Sequence, residues 1–252
     1  YEIPKRDWSS DVCSSDLILT ALSAGEKITM GTALGGSGTS GSKALLVRAA
    51  GPALAQLGIS GFLPDPTMTL TYTGGNPATV VAINDDWAGS LSLSNAFNAV
   101  GAFPYASGAS KDAALFRSDA TALAASTYTV EVSDVGGGAG TVIAELYDAT
   151  PSGSYTAATP RLINVSVLKN ISASGSLTAG FFVGGSTAKT VLIRAIGPGL
   201  ASVGVTSGTL ADPQLTLFDS NQATIAANDN WGGDSQLTSA GTRVGAFAVS
   251  NA

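Results

Sequence analysis

Histidine is absent from the 252 residues, and the only cysteine is Cys13. The first absence removes the commonest general base, and the two together remove the usual zinc and copper ligand sets. Charged residues make up 12% of the chain, aromatic ones 7%, and the formal net charge is −6. An acidic, charge-poor chain carries no basic footprint for nucleic acid. No run of about eighteen apolar residues occurs, so no segment is long and apolar enough to cross a membrane as a helix. The expectation is therefore a chain without a nucleic-acid partner and without membrane insertion in this window. Carboxylate-only or Ser/Lys chemistry is all that remains to be weighed.

What the chain does have is repetition. Lys43-Ala-Leu-Leu-Val-Arg48-Ala-Ala-Gly51-Pro52 returns about 146 residues later as Lys189-Thr-Val-Leu-Ile-Arg194-Ala-Ile-Gly197-Pro198. Asp65-Pro66 returns as Asp212-Pro213, Asn84-Asp85-Asp86-Trp87 as Asn228-Asp229-Asn230-Trp231, and Val100-Gly-Ala-Phe103 as Val244-Gly-Ala-Phe247. Self-similarity at a fixed period marks a repeat array, each copy being one structural unit.

The match stops abruptly toward the N-terminus, where Ile18-Leu19 still aligns with Val167-Leu168 but nothing before it does. Residues 7 to 17, Asp-Trp-Ser-Ser-Asp-Val-Cys-Ser-Ser-Asp-Leu, read like a translated sequencing adapter. Residues 1–17 are accordingly expected to be a non-native, disordered scar and are excluded from fold reasoning. Removing its two bases and four acids from the totals of 12 and 18 leaves 10 and 14, a net charge of −4. The only cysteine leaves with it. At the other end Asn251-Ala252 aligns near Ser107-Gly108, so counterparts of 109–149 do not occur in the second copy, and the chain reads as a window from a longer protein.

Short period-two segments rich in Val, Ile, Thr and Tyr, punctuated by Gly, Asn, Asp and Ser, predict an all-β fold of tandem antiparallel β-sandwich repeats of Greek-key or jelly-roll type. The expected division is a first repeat at 18–149 lacking its first strand, a polar linker at 150–160, and a second repeat at 161–252 cut before its last hairpin. That last hairpin is read from Thr127–Ser133 and Thr141–Tyr147, joined by the turn Val135-Gly-Gly-Gly-Ala-Gly140. Strands are also predicted at 28–34, 44–49, 67–73, 79–84 and 112–117, with copy-two counterparts at 177–183, 190–195, 214–219 and 223–228. Short helical turns are expected at 52–57 and 198–203, where Pro stands at the start of a turn, and at 93–100. If Arg161–Leu168 is an edge strand, it has the option of pairing with the first copy.

Three groups of residues are candidates for chemistry. Ser40-Gly-Ser-Lys43 and Ser186-Thr-Ala-Lys189 fit the S-x-x-K pattern of Ser/Lys enzymes, but that pattern needs a helix start. Here a Gly-rich loop leads into a strand, so the lysine reads as a strand-entry residue. Asn84, Asp85, Asp86, Asn228, Asp229 and Asn230, with Asp219 added in copy two, offer oxygens of the kind Ca²⁺ takes. The competing reading is an Asx turn bonded to its own backbone; Tyr72 or Thr73 stands where Asp219 would align, and Asp86 becomes Asn230. Calcium is the one cofactor these residues suggest. Arg48 and Arg194 lie in apolar strands and need partners; Asp65 and Asp212, or Asp85 and Asp229, are the repeated acids available for an internal ion pair. Trp87 and Trp231 read as core or loop-packing residues ahead of exposed platforms for sugar stacking.

The run R-A-x-G-P-x-L, D-P-x-x-T-L, N-D-[DN]-W, S-K-D-A-A-L (Ser110 to Leu115) and Y-T-V-E-V-S-D-V-G-G with E-L-Y-D resembles tandem β-sandwich repeats in very large secreted proteins of environmental bacteria. It is similar to bacterial pre-peptidase C-terminal-type domains over residues 18–252. The resemblance implies an extracellular or cell-surface module with no catalytic residues to carry over. It implies a structural or adhesive role, with neighbouring repeats of the same chain and a cell-surface glycan as partners. The alternative is a calcium- or carbohydrate-binding accessory module of an exported hydrolase.

Overall fold

The structure is a computed structural model that describes residues 13–151, 153–172, 175–184 and 188–249. The disorder expected of residues 1–12 lies outside the described residues. The fold is all-β. The strands are β1 (Cys13–Leu22), β2 (Ile28–Gly35), β3 (Ser42–Lys43), β4 (Leu45–Ala50), β5 (Pro66–Tyr72), β6 (Thr79–Asn84), β7 (Ala113–Arg117), β8 (Leu123–Ala124), β9 (Thr127–Asp134), β10 (Gly140–Asp148), β11 (Arg161–Leu168), β12 (Thr178–Val183), β13 (Leu215–Phe218) and β14 (Thr224–Asn228). Two α-helices, α1 (Leu91–Val100) and α2 (Ser235–Arg243), accompany 3₁₀ turns at Pro52–Leu57, Asp119–Thr121 and Pro198–Val203.

The chain divides into two compact units, the first holding residues 13–169 and 176–188, the second 170–175 and 189–249. The first unit is a sandwich of two five-stranded antiparallel sheets, ordered β12-β1-β10-β4-β7 and β11-β2-β9-β5-β6. Ile28, Met30, Met68, Leu70, Val130 and Val132 from one sheet meet Leu45, Val47, Val142, Ala144 and Leu146 from the other in the main core. β2, β5 and β9 alternate buried and half-buried positions, as strands with one covered face do. β4 is buried at every position, and β10 from Val142 on. Their second face carries Leu46, Ala50, Ile143 and Tyr147 into another cluster with Leu54, Trp87, Leu93, Phe97 and Tyr105 from α1 and the loops. A strand covered on both faces loses its alternation.

The structure corrects several boundaries. The scar was expected to be disordered and the first repeat to lack its first strand. Instead β1 begins at Cys13, and Ser15–Leu22 pairs in register with Gly140–Tyr147. The ladder is made by backbone groups, so the last residues of the adapter-like segment serve as well as others with the right alternation. The closing hairpin is not a hairpin. β9 pairs with β2 and β5, β10 with β1 and β4, and the Gly-rich turn carries the chain from one sheet to the other as an arch. Both strands have apolar faces to bury, and facing each other across the core covers both at once.

The expected second repeat is also divided differently. β11 adds to the edge of β2, with Leu162 opposite Leu34 and Leu168 opposite Thr29, as the edge-strand reading allows. β12 adds to β1, with Phe181 opposite Asp16. The residues expected to be a linker stay within the first unit, where the Ser40 N–H donates to the Ala158 carbonyl at 2.9 Å. Residues 190–195 form no strand, whereas their counterpart β4 lies between β10 and β7. In the second unit β13 and β14 form a two-stranded hairpin. Asp234 caps α2 by accepting from the N–H groups of Gln236 and Leu237. No hydrophobic side chain among residues 189–249 is fully buried; Val191, Phe218, Ile225 and Val244 are exposed.

Leu162 is 5% exposed and sits in the core of the first unit although its sequence belongs to the second copy. Leu162→Ala is expected to lower the stability of that unit by about 2–3 kcal/mol. The check is urea unfolding followed by Trp87 fluorescence in a background where Trp8 and Trp231 are Phe. An unshifted Trp87 transition would mean that the first sandwich closes without β11.

Candidate functional site

The antiparallel register of β4 and β10 places Arg48 directly opposite Glu145. Both side chains are wholly buried, with Nη1 and Oε2 3.2 Å apart. Arg48 Nη2 donates to the Phe103 carbonyl at 2.8 Å, and Tyr147 Oη donates to Glu145 Oε1 at 2.7 Å. The guanidinium carbon lies 4.4 Å from the centre of the Phe97 ring and 4.5 Å from those of Phe103 and Tyr105. Three aromatic faces thus surround a charge already paired to a carboxylate, the arrangement in which a desolvated cation gains most from aromatic rings. Burial opposes the charge, but Glu145, aided by Tyr105 and Tyr147, outweighs it and holds the Arg48 pKa above its usual value. This corrects the expected pairing of Arg48 with Asp65 or Asp85: the partner is the cross-strand acid.

Lys43 and Asp148 form a second pair, also wholly buried. Lys43 Nζ donates to Thr150 Oγ1 at 2.9 Å and stands 4.9 Å from the centre of the Tyr155 ring. Burial lowers the Lys43 pKa, and Asp148 works against that. The lysine of the S-x-x-K pattern is therefore a closed structural residue, set on the short ladder of β3 with β8. Ser186 of the second pattern lies outside the described residues.

The Asn-Asp-x-Trp segment closes on itself. Asn84 Nδ2 donates to the Asp86 carbonyl at 2.9 Å while its Oδ1 accepts from the Ala114 N–H at 2.8 Å. Asn228 Nδ2 donates in the same way to the Asn230 carbonyl at 3.0 Å. Trp87 is 7% exposed, donates from Nε1 to the Ser107 carbonyl at 3.0 Å, and packs against Phe97 and Tyr105. It is a packing residue and presents no face for a sugar. Asp86 pairs with Lys111 at 2.9 Å, and Asp65 lies 3.9 Å from the same lysine, at the surface. Burial raises the Asp65 pKa, Lys111 opposes it, and Asp86, Asp134 and Asp85 add to it.

Among the other calcium candidates Asp85, Asn228, Asp229 and Asn230 are exposed. Asp219 Oδ1 accepts from the Asn221 and Ala223 N–H groups at 2.8 and 2.9 Å, an Asx-type turn whose backbone bonds lower its pKa. Among the described residues no three acids gather where they could share a metal ion. Asp212 is exposed, and no carboxylate among the described residues lies within 4.0 Å of Arg194, so the expected copy-two pair is not formed either.

Asp112, in the S-K-D-A-A-L run, is a structural acid that sequence reasoning passed over. It is wholly buried, and its Oδ1 accepts from the Gly51 N–H at 2.7 Å and the Ala53 N–H at 3.1 Å. It thereby holds the Arg-Ala-Ala-Gly-Pro turn where a Cβ on Gly51 would come within 2.1 Å of the Leu63 carbonyl oxygen. A Cβ on Gly197 would come within 1.9 Å of the Leu210 carbonyl oxygen. The same close approach in both copies explains the repeated Gly-Pro. Glu145 and Asp148 were missed too, although E-L-Y-D inside a strand flanked by apolar residues was a signal of buried charge. A cleft of about 360 Å³ opens beside Ser40, Ser42, Thr150 and Pro160; Asp119 is the only acid, and the only acid or base, in its lining.

No protein-family model matches the chain, and comparison with curated proteins gives no match. Among solved structures, the crystal structure of Yersinia pseudotuberculosis-derived mitogen (YPM) is similar over 59% of this chain and 95% of its own. The identity is 9% and the TM-score 0.31, a likeness that carries no argument about function.

Glu145→Gln leaves a buried guanidinium without its counter-charge and is expected to cost about 3 kcal/mol or more of stability. Lys111→Gln, at an exposed and solvent-screened pair, is expected to cost far less. Urea unfolding of the two variants compares them, and equal effects would dismiss the buried pair as the dominant one. The pH dependence has a defined sign. Tyr105 Oη is buried and donates to the Ala113 carbonyl; burial raises its pKa and Arg48 only partly offsets this. The unfolded chain releases that proton near pH 10.0 while the folded protein keeps it, so stability falls as pH rises beyond that value. Lys43 acts oppositely, adding stability as pH rises from its lowered folded pKa toward 10.5. Tyr105→Phe is expected to flatten the alkaline decline in urea midpoint between about pH 9 and about pH 11; an unchanged slope would assign the decline elsewhere.

Proposed function

We propose that this chain is a non-catalytic structural or adhesive repeat module of a large exported bacterial protein, working outside the cell or at its surface. The observation that supports this most directly is the joining of the copies by strand addition. β11 and β12 come from the second copy in sequence, yet one extends each sheet of the first. Load passing from β11 and β12 into the first copy would run through two main-chain ladders and a shared core. The charged groups fit a scaffold: the two buried pairs are enclosed, the Asn-Asp-x-Trp side chains bond their own turn, and the cleft has no acid–base couple.

Single-molecule pulling tests the reading. β1 to β12 is 171 residues (13 to 183), so unfolding as one event releases about 58 nm of chain at roughly 3.4 Å per residue. A copy unfolding within 18–149, 132 residues, releases about 45 nm. The longer step is expected. Separate release of the first copy would remove the mechanical coupling on which the reading stands.

A further inference from the structure

We propose that the outer edges of β11 and β12 form a docking surface for an arch of two strands patterned like β9 and β10, the second copy's own counterpart of Thr127–Asp148. In the alignment of the copies β11 corresponds to β1, and β12 to β2. Within the first unit β1 pairs with β12 and β2 pairs with β11, all antiparallel. Exchanging the copies therefore turns one pairing into the other, so the four strands obey a two-fold exchange rule. Under it, the place of β10 beside β1 maps onto the outer edge of β11, and the place of β9 beside β2 onto the outer edge of β12.

Those two edges are the ends of their sheets, each strand having a neighbour on one side only among the described residues. Ile163 and Leu168 of β11 are 44% and 51% exposed. β12, Thr-Ala-Gly-Phe-Phe-Val, contains neither charge nor proline, the devices that usually guard an open edge.

The occupant is read from the first unit itself, where β10 and β9 already fill the equivalent places beside β1 and β2. The partner's identity rests on reading the chain as part of an array; the exchange rule does not.

The test appends a second copy of residues 109–149 after Ala252 and follows amide hydrogen exchange in the full chain. Docking predicts that amides of β11 and β12 slow by at least about tenfold. Proline at the appended counterparts of Val130 and Val142 should abolish the slowing. Unchanged exchange, or slowing that survives the prolines, overturns the proposal. So does slowing in the 252-residue chain as its concentration is raised, which assigns the edges to a second molecule. In each case the single pulling event would still stand or fall on its own, so failure of docking is distinguishable from failure of the array reading.

Discussion

The buried pair of Arg48 and Glu145 joins the two strands on which both layers of the first unit are built. β4 and β10 carry one apolar face into the sandwich core and the other beneath α1 and its loops, so charge between them has no route to water. Each ion costs several kcal/mol to bury even after relaxation. The structure offsets this with a carboxylate, a carbonyl and three aromatic rings around one guanidinium. Phe97 comes from α1, and Phe103 and Tyr105 from the segment after it. The pair therefore specifies how the outer layer sits as well as how the strands register.

The same logic accounts for the repeated turn. Asp112 anchors the N–H groups of Gly51 and Ala53, Asn84 anchors Ala114, and the Trp87 backbone N–H reaches the Asp112 carbonyl at 2.9 Å. Motifs far apart in sequence form one polar frame around the strand ends. Buried polar groups of this kind persist only when bonded, which is why Arg-Gly-Pro, Asn-Asp-x-Trp and Ser-Lys-Asp occur together. The frame leaves two sheets whose edges accept β11 and β12.

Much of the architecture was legible. Alternation placed β2, β5, β6 and β9 to within a residue or two, and Pro before a glycine-ended turn placed both six-residue 3₁₀ turns. The need of Arg48 for a partner was legible as well, because a lone charge in an apolar strand is untenable. The partner was not, since cross-strand register is a property of the assembled sheet. Asp65 and Asp85 were the repeated acids, but repetition reports what both copies contain, and Glu145 has no counterpart among these residues. The arch was misread for a related reason: an alternating strand, a glycine turn and another strand describe a hairpin and an arch equally well.

The sequence by itself determined the all-β class, the strand spacing, the repetition and the absence of imidazole, because periodicity and composition are local. Only the tertiary structure decided which strands pair, which acid meets which base, and that β11 and β12 complete the sheets of the first copy. Those choices turn on which edges and apolar faces are left uncovered once the sandwich forms, and no local pattern records that.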